Sequence, residues 1–317
     1  KLEKLTQFHM DIAASIQKVT EDIMITIAKS LKEEFNIPNL CLAGGVALNC
    51  VANGKILQEK IFNNIWVQPA AGDAGGSLGA ALALWYLEQK NTRKVDIKDS
   101  MQGSYLGPEF SQKEIEHELN IAGAKYEILD ENDLIEKTAI NLSMGDAIGW
   151  FQGRMEFGPR ALGCRSILGD PRSSEMQKNL NLKVKYRESF RPFAPSILEE
   201  DLTDWFDIDV FSPYMLMVAN IKKSKTIPMN EKQKKLFGID KLNIKRSEIP
   251  AVTHIDYTAR IQTVHKETNE KYFKLIKKFK EKTNCPVMVN TSFNVRGEPI
   301  VNTPTDAFNC FMGTNLD

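Results

Sequence analysis

The 317-residue sequence is poor in what several common chemistries need. Its four histidines, His9, His117, His254 and His265, form no HxxxH or HExxH pair, which excludes a self-contained histidine metal site. No GxSxG elbow and no GK[ST] loop occurs, so serine-hydrolase and P-loop ATPase chemistry fall away. The five cysteines, Cys41, Cys50, Cys164, Cys285 and Cys310, are odd in number and include no CxxC pair; they read as reduced, mostly buried thiols. Net charge is absent as well. With 41 basic residues against 41 acidic ones, no global field draws the chain to nucleic acid or to an anionic membrane, and any anion site must be local. No apolar run approaches the length of a bilayer-spanning helix, and the amphipathic start KLEKLTQFHMDIAASIQKVTEDI is no signal peptide, so a cytoplasmic protein is expected.

What is present is an ordinary globular composition, 42% hydrophobic and 26% charged. At about 150 residues per domain, two domains are expected. The chain opens on Lys1 and stops at NLD straight after an apolar stretch, and is read as a piece of a longer protein. From Leu2 to Phe35, Phe8, Ile12, Ile16, Val19, Ile23, Ile27 and Leu31 fall near one stripe, which predicts one long helix or two packed on a core. NLCLAGGVALN and then NIWVQPAAGDAGGSLGAALALWYLEQK each read as strand, glycine turn and helix, the pattern of an α/β sheet with ligand-facing turns at its carboxyl edge. Polar, aperiodic residues from Asn91 to Ser104 mark a linker, with the boundary near Ser100. Beyond it, SQKEIEHELNIAGAKYEIL predicts helix then strand, and NDLIEKTAINLSMGDAIGWFQGR helix, turn and strand. The lysine-rich stretch from Lys222 to Arg246 reads as a solvated loop or mobile excursion. The tail predicts a helix, a strand, a polar turn and a final helix.

In CLAGGVALN, Gly44 and Gly45 let backbone amides approach a ligand, and the helix start that follows offers unpaired N–H groups to a nucleotide phosphate; the same turn also serves as plain strand-to-helix geometry. In QPAAGDAGGSLGAA, Asp73 follows Gly72 among small residues, and two readings stand: a carboxylate that ligates a metal or holds a ribose, or a helix N-cap. The densest signal is GWFQGRMEFGPRALGCRSIL with KVKYRESFRPFAPSIL, where Arg154, Arg160, Arg165, Lys185, Arg187 and Arg191 are interleaved with phenylalanines and prolines. Guanidinium forks grip phosphate and carboxylate oxygens bidentately, whereas lysine offers a point charge. Pairing of Arg154 with Glu156 and of Arg187 with Glu188 accounts for two of these cations but not for Arg160 or Arg191, so a polyanion pocket is favoured. Arg260 in the strand-like TARIQTV can complete it, as can Asn290, Ser292 and Asn294 in the polar turn after CPVMV, whose amides and hydroxyl can hold phosphate or ribose oxygens. Asn-Thr-Ser also simply makes turns.

Together GGVALN, QPAAGDAGGSLGAA, GRMEFGPRALGCRSIL, KYRESFRPFAPS and NTSFNVRGEPIV resemble the O-carbamoyltransferases that decorate nodulation factors, tobramycin and cephamycin, over nearly the whole chain. The resemblance implies an α/β fold in two parts. Residues 1–100 would be the latter part of an actin and sugar-kinase-like (ASKHA) domain, similar to tRNA threonylcarbamoyl-transfer enzymes. Residues 101–317 would be an α+β YrdC-like domain, similar to threonylcarbamoyl-adenylate synthases. It further implies that the second part makes carbamoyl adenylate from carbamoyl phosphate and ATP with Mg2+, and that the first hands the carbamoyl group to a hydroxyl of a sugar or natural-product acceptor. By the same resemblance, Arg160, Lys185, Arg191 and Arg260 hold the phosphates and the carbamoyl group, together with Asn290 and Ser292. Gly44, Gly45, Asn49 and Gly72 would bind adenylate at the transfer site, where Asp73 would ligate Fe2+ or a similar divalent metal. The family's other ligands, two histidines at HxxxH spacing and a further aspartate, have no counterpart in this sequence, so metal-dependent transfer by this chain alone is expected to be poor. Two other classes compete: a non-catalytic nucleotide- or RNA-binding module, disfavoured by the neutral charge, and a sugar-kinase-like phosphotransferase, which leaves the arginines unexplained.

Overall fold

A computed structural model describes residues 6–95 and 99–317; the first residues of the expected opening helix and residues 96–98 of the expected linker lie outside it. The opening helix α1 (Gln7–Phe35) ends where Asn36 turns left-handed at φ 49°, its N–H bonding the Lys32 carbonyl at 2.9 Å. Next come β1 (Asn39–Leu42), α2 (Cys50–Gln58), β2 (Asn64–Val67) and α3 (Ala74–Ala83). β1 and β2 pair in parallel, Asn39 opposite Asn64 and Leu42 opposite Val67, with α2 as the crossover. Both strand-turn-helix units expected from the sequence are therefore present.

The apolar stripe of α1 is not packed on a core. Phe8, Ile12, Ile16, Val19, Ile23, Ile27 and Leu31 face outward, Ile16 being 64% exposed, while the residues that α1 buries are Glu21 and Ala28. A two-stranded sheet offers too narrow a face to cover a helix of this length on its apolar side. The opposite flank is held instead: Glu21 pairs with Lys55, Gln17 and Asn49 exchange amide hydrogen bonds at 3.0 and 3.2 Å, and Ala28 joins a small cluster with Leu40, Ile56 and Phe62.

The remainder builds around a six-stranded mixed sheet. Its elements are α4 (Gln112–Ile121), α5 (Glu131–Met144), β3 (Ile148–Phe151), β4 (Arg165–Gly169), α6 (Met176–Asn179), β5 (Ala194–Leu198), α7 (Leu202–Trp205), β6 (Met217–Asn220), α8 (Glu231–Lys234), α9 (Gly238–Leu242), β7 (Thr258–Val264), α10 (Glu270–Thr283), β8 (Val287–Ser292) and α11 (Pro304–Met312). The strand order is β3-β4-β8-β5-β7-β6, with β5 and β7 parallel and every other pair antiparallel. β4 and β5 are buried along their whole length, as strands inside the sheet, polar Arg165, Ser166 and Ser196 included. α10 shows how a helix earns its place here: Asn269 caps it by accepting from the Tyr272 N–H, and Tyr272, Phe273, Leu275, Ile276 and Phe279 recur at helical spacing and are all buried.

Two further sequence expectations change. The end of SQKEIEHELNIAGAKYEIL, residues 124–129, expected as a strand, forms none. Residues 222–246 are not a free loop: Thr226 bridges Ser247, and buried Arg246 donates to the carbonyls of Lys241, Leu242, Ile244, Thr253 and His254 at 2.8–3.2 Å. A guanidinium that collects five carbonyls ties the excursion to the body, an outcome that lysine content does not reveal. Among the described residues, no helix is long and apolar enough to cross a membrane.

The two regions share one core, in which Ala47, Val67 and Ala71 join the large cluster of the six-stranded body. α2 lies against β6. Asn53 donates to the Leu216 carbonyl at 3.0 Å, and Gly54 lets the strand approach so closely that a Cβ there would stand 2.2 Å from the Val218 oxygen.

Candidate active site

The ends of β5, β7 and β8, with the loops that follow α6 and precede β4, enclose a cleft of about 320 Å3 lined by Arg160, Arg187, Arg191, Arg260, Asn290 and Ser292, among others. The expected cations Arg160, Arg191 and Arg260, far apart in sequence, thus converge. Arg187 joins them and was missed as a site residue because Glu188 beside it offered an ion pair. The real partner of Glu188 is Arg191, at 3.0 Å, with Arg296 at 3.2 Å; Arg187 instead donates to the Asn181 side chain at 2.7 Å and lies over the Phe193 ring. Arg154 pairs with Glu109, not Glu156. Among the described residues no carboxylate pairs with Arg160, Arg187 or Arg260, and the buried Arg160 Nε has no protein partner. Burial, then the nearby Arg260, pushes Arg160 down to about 10; burial, then Arg191, does the same to Arg187; burial lowers Arg260. Guanidiniums so placed stay charged and repel one another until an anion enters.

Other predicted residues take other places. Lys185 does not line the cleft. Its buried ammonium donates to the carbonyl and hydroxyl of Ser292 and to the carbonyl and side-chain oxygen of Asn294, the last at 2.7 Å, so it holds the turn that carries Ser292. Burial, reinforced by Arg187, pushes its pKa down to about 7. Asn294 also accepts from the Ser292 hydroxyl at 2.7 Å and donates to the Glu298 carbonyl. Arg165 is a core residue: it donates to the carbonyls of Gln152, Gly153, Cys164 and Pro108 and stacks 3.6 Å from the Phe151 ring centre. The buried Asn290 amide nitrogen meets Gln262 Oε1 at 2.8 Å, Ser196 Oγ at 3.1 Å and the Ala161 carbonyl at 3.3 Å, while Gln262 Nε2 donates to the Leu162 carbonyl at 2.8 Å.

The N-terminal turns form a separate group. Gly44, at φ +96°, donates its N–H to the Ala71 carbonyl at 2.8 Å and thereby ties the GGVALN turn to the QPAAGD turn; Gly45 begins a short 3-10 turn. Asn49 caps α2, accepting from the Ala52 N–H at 3.1 Å. Gly72 sits in the turn before α3, its carbonyl accepting from the Gly75 N–H at 3.1 Å. None of these lines the cationic cleft, but the Cys50 side chain, directly after Asn49, stands beside Arg160 and Arg260. The arginine loop also touches this region, since Gly158, at φ +138°, packs on the Pro69 carbonyl. Asp73 is exposed and makes no side-chain cap to α3. Among the described residues, no three His, Cys, Asp or Glu side chains converge as a metal-binding group. One exposed carboxylate is too small a donor set for a transition metal, so the residues present do not fit a metal centre.

This arrangement is a cleft whose charge is complementary to anions. Residues 139–317 match the family model described as Carbamoyltransferase C-terminus, and residues 1–82 match Carbamoyltransferase N-terminus. The chain belongs to the carbamoyltransferase family. It is 58% identical over 315 residues to the "Uncharacterized protein sll1178" of Synechocystis sp., covering 99% of this chain and 51% of that protein. It is 40% identical over 316 residues to the nodulation protein NolO of Bradyrhizobium diazoefficiens, covering 98% and 53% of the two chains. With the nodulation protein NolNO of Sinorhizobium fredii the identity is 41% over 316 residues, 98% and 43% of the two chains. The chain spans about half the length of these relatives.

Proposed function

We propose that the arginine cleft binds ATP and carbamoyl phosphate and forms carbamoyl adenylate, as the activating part of an O-carbamoyltransferase that delivers its carbamoyl group to a hydroxyl of a small-molecule acceptor. One observation carries this reading: Arg160, Arg187 and Arg260 converge, and among the described residues no carboxylate pairs with them. Water hydrolyses carbamoyl phosphate to carbamate and orthophosphate; a carbamate oxygen then bonds to the α-phosphorus of ATP, and pyrophosphate departs with the electron pair of the broken P–O bond. Both reactants are anions, so the guanidiniums offset their repulsion on approach and stabilise the charge that collects on the leaving pyrophosphate, with Mg2+ accompanying the ATP. In this reading residues 101–317 form a YrdC-like domain and residues 1–100 the latter part of an ASKHA domain, in a cytoplasmic enzyme. The N-terminal turns of Gly44, Gly45, Asn49 and Gly72 would meet the adenylate for transfer.

The test is exchange of labelled pyrophosphate into ATP in the presence of carbamoyl phosphate. The wild-type chain is expected to catalyse it, and Arg160→Ala to slow it by about a hundredfold. Absence of exchange in wild type sinks the reading, and salt-dependent RNA binding in its place would favour the binding-module alternative.

A further inference from the structure

After α6 the helix widens instead of stopping. Over Leu180–Val184 it forms a π-helical turn, in which the Lys185 N–H reaches back five residues to the Leu180 carbonyl at 2.8 Å, and at Tyr186 the backbone turns left-handed with φ 48°. The loop that follows carries two cations of the cleft, Arg187 and Arg191. Asn181, inside the π-helical turn and fully buried, commits its carbonyl and its whole side chain to that loop. Its carbonyl accepts the Arg187 N–H at 2.9 Å, and its side-chain nitrogen donates to the Ser189 and Arg191 carbonyls at 3.1 and 2.9 Å. Its side-chain oxygen accepts from Arg187 Nε at 2.7 Å. The amide has one possible orientation, because carbonyls only accept and a guanidinium only donates; a flip would break all three side-chain contacts.

A guanidinium can grip an oxyanion with Nε and one terminal nitrogen or with the two terminal nitrogens together. Asn181 occupies Nε, and among the described residues that is the only side-chain hydrogen bond of Arg187, whose guanidinium carbon lies 5.1 Å from the centre of the Phe193 ring. The terminal pair is thus left for a ligand. Arg191 is held by a different device, since its Nε meets the Glu188 carboxylate at 3.0 Å and loses part of its charge to it. An amide oxygen aims a guanidinium without offsetting its charge. We propose that Asn181 is a positioning residue for phosphate binding, which turns the terminal nitrogens of Arg187 into the cleft as a fully charged, bidentate grip. The inference rests on the reading of the cleft as the site of ATP and carbamoyl phosphate; Arg187 touches the ligand, and Asn181 acts through it.

Calorimetric titration with inorganic pyrophosphate tests this in a double-mutant cycle of Asn181→Ala and Arg187→Lys. Asn181→Ala is expected to weaken pyrophosphate binding about tenfold. Arg187→Lys should weaken it by about as much although it keeps the positive charge, because an ammonium has neither an Nε for Asn181 nor a fork for the phosphate. In the Arg187→Lys background, Asn181→Ala should cost less than about twofold. Equal costs in the two backgrounds overturn the inference, since a residue that merely shapes the loop acts whatever stands at position 187. So does an Arg187→Lys chain that binds as tightly as wild type, a result that needs no change at Asn181 and no folding of Asn181→Ala. If wild type binds no pyrophosphate, the reading of the cleft falls and the inference with it; if wild type binds and the two substitutions add, the inference alone falls.

Discussion

Along its 29 residues α1 buries only Glu21 and Ala28, whereas the 14-residue α10 buries five large apolar side chains. Both helices are amphipathic. What separates them is the surface beneath: α1 lies by two parallel strands, α10 by a six-stranded sheet. The contrast extends to chemistry. The N-terminal region offers Asp73 as a lone exposed carboxylate, while the C-terminal region brings four arginines from three distant segments to one cleft. Amphipathic pattern thus declares which face of an element is apolar, but the breadth of the neighbouring sheet decides whether that face is covered.

Substitutions that sample both sides sharpen the contrast. Phe279→Ala, at a fully buried position of α10, is expected to cost about 3–5 kcal/mol in urea unfolding, while Ile16→Ala on the exposed stripe should change stability by less than about 0.5 kcal/mol. Equal costs would show that the stripe is covered after all. In pyrophosphate exchange, Arg260→Ala should lose about 3 kcal/mol of transition-state stabilisation and Asp73→Ala should lose none; sensitivity to Asp73 would unite the two sites that the structure separates.

Lys185 supplies a pH-dependent contrast. Its pKa, pushed down to about 7 from an unfolded value near 10.4, means that the unfolded chain holds the extra proton between those limits. This residue's penalty is complete below pH 7 and is relieved as pH rises toward 10, so its contribution to stability rises over that window. Comparison of wild type with Lys185→Met by denaturation at pH 7 and pH 9.5 should show a differential on the order of 2 kcal/mol in that direction, and a pH-independent difference would contradict it. A smaller effect than that of Lys185 is expected at the α2 cap: Asn49→Ala should cost about 1 kcal/mol in unfolding and leave exchange unaltered.

Much of this was legible in advance. Helices and strands followed from periodicity, glycine turns and caps, and the cation cluster stood out because arginines among prolines and phenylalanines lacked evident partners. What escaped did so for physical reasons. Arg165 and Arg246 turn their guanidiniums to main-chain carbonyls, which leave no trace in residue type. Arg187 was assigned to its neighbour Glu188, yet Glu188 reaches Arg191 three residues on, and Arg187 was left for the cleft. Lys185 is expected on the ligand; in the structure four oxygens of the Ser292 and Asn294 turn surround its ammonium, a setting that residue type does not reveal. Gln262 and Ser196 read as ordinary strand residues; only the pairing of β5 with β7 and β8 brings them to Asn290.

The contact between Gly158 and the Pro69 carbonyl has a reach beyond its size. A Cβ at position 158 would lie 2.9 Å from that oxygen, and Arg160 follows two residues later. The two halves are thus kept in step by bare backbone against bare backbone. Side-chain drift at Pro69 leaves such a joint untouched, while one methyl group on the opposing partner would displace a guanidinium and separate the turns from the cleft they adjoin.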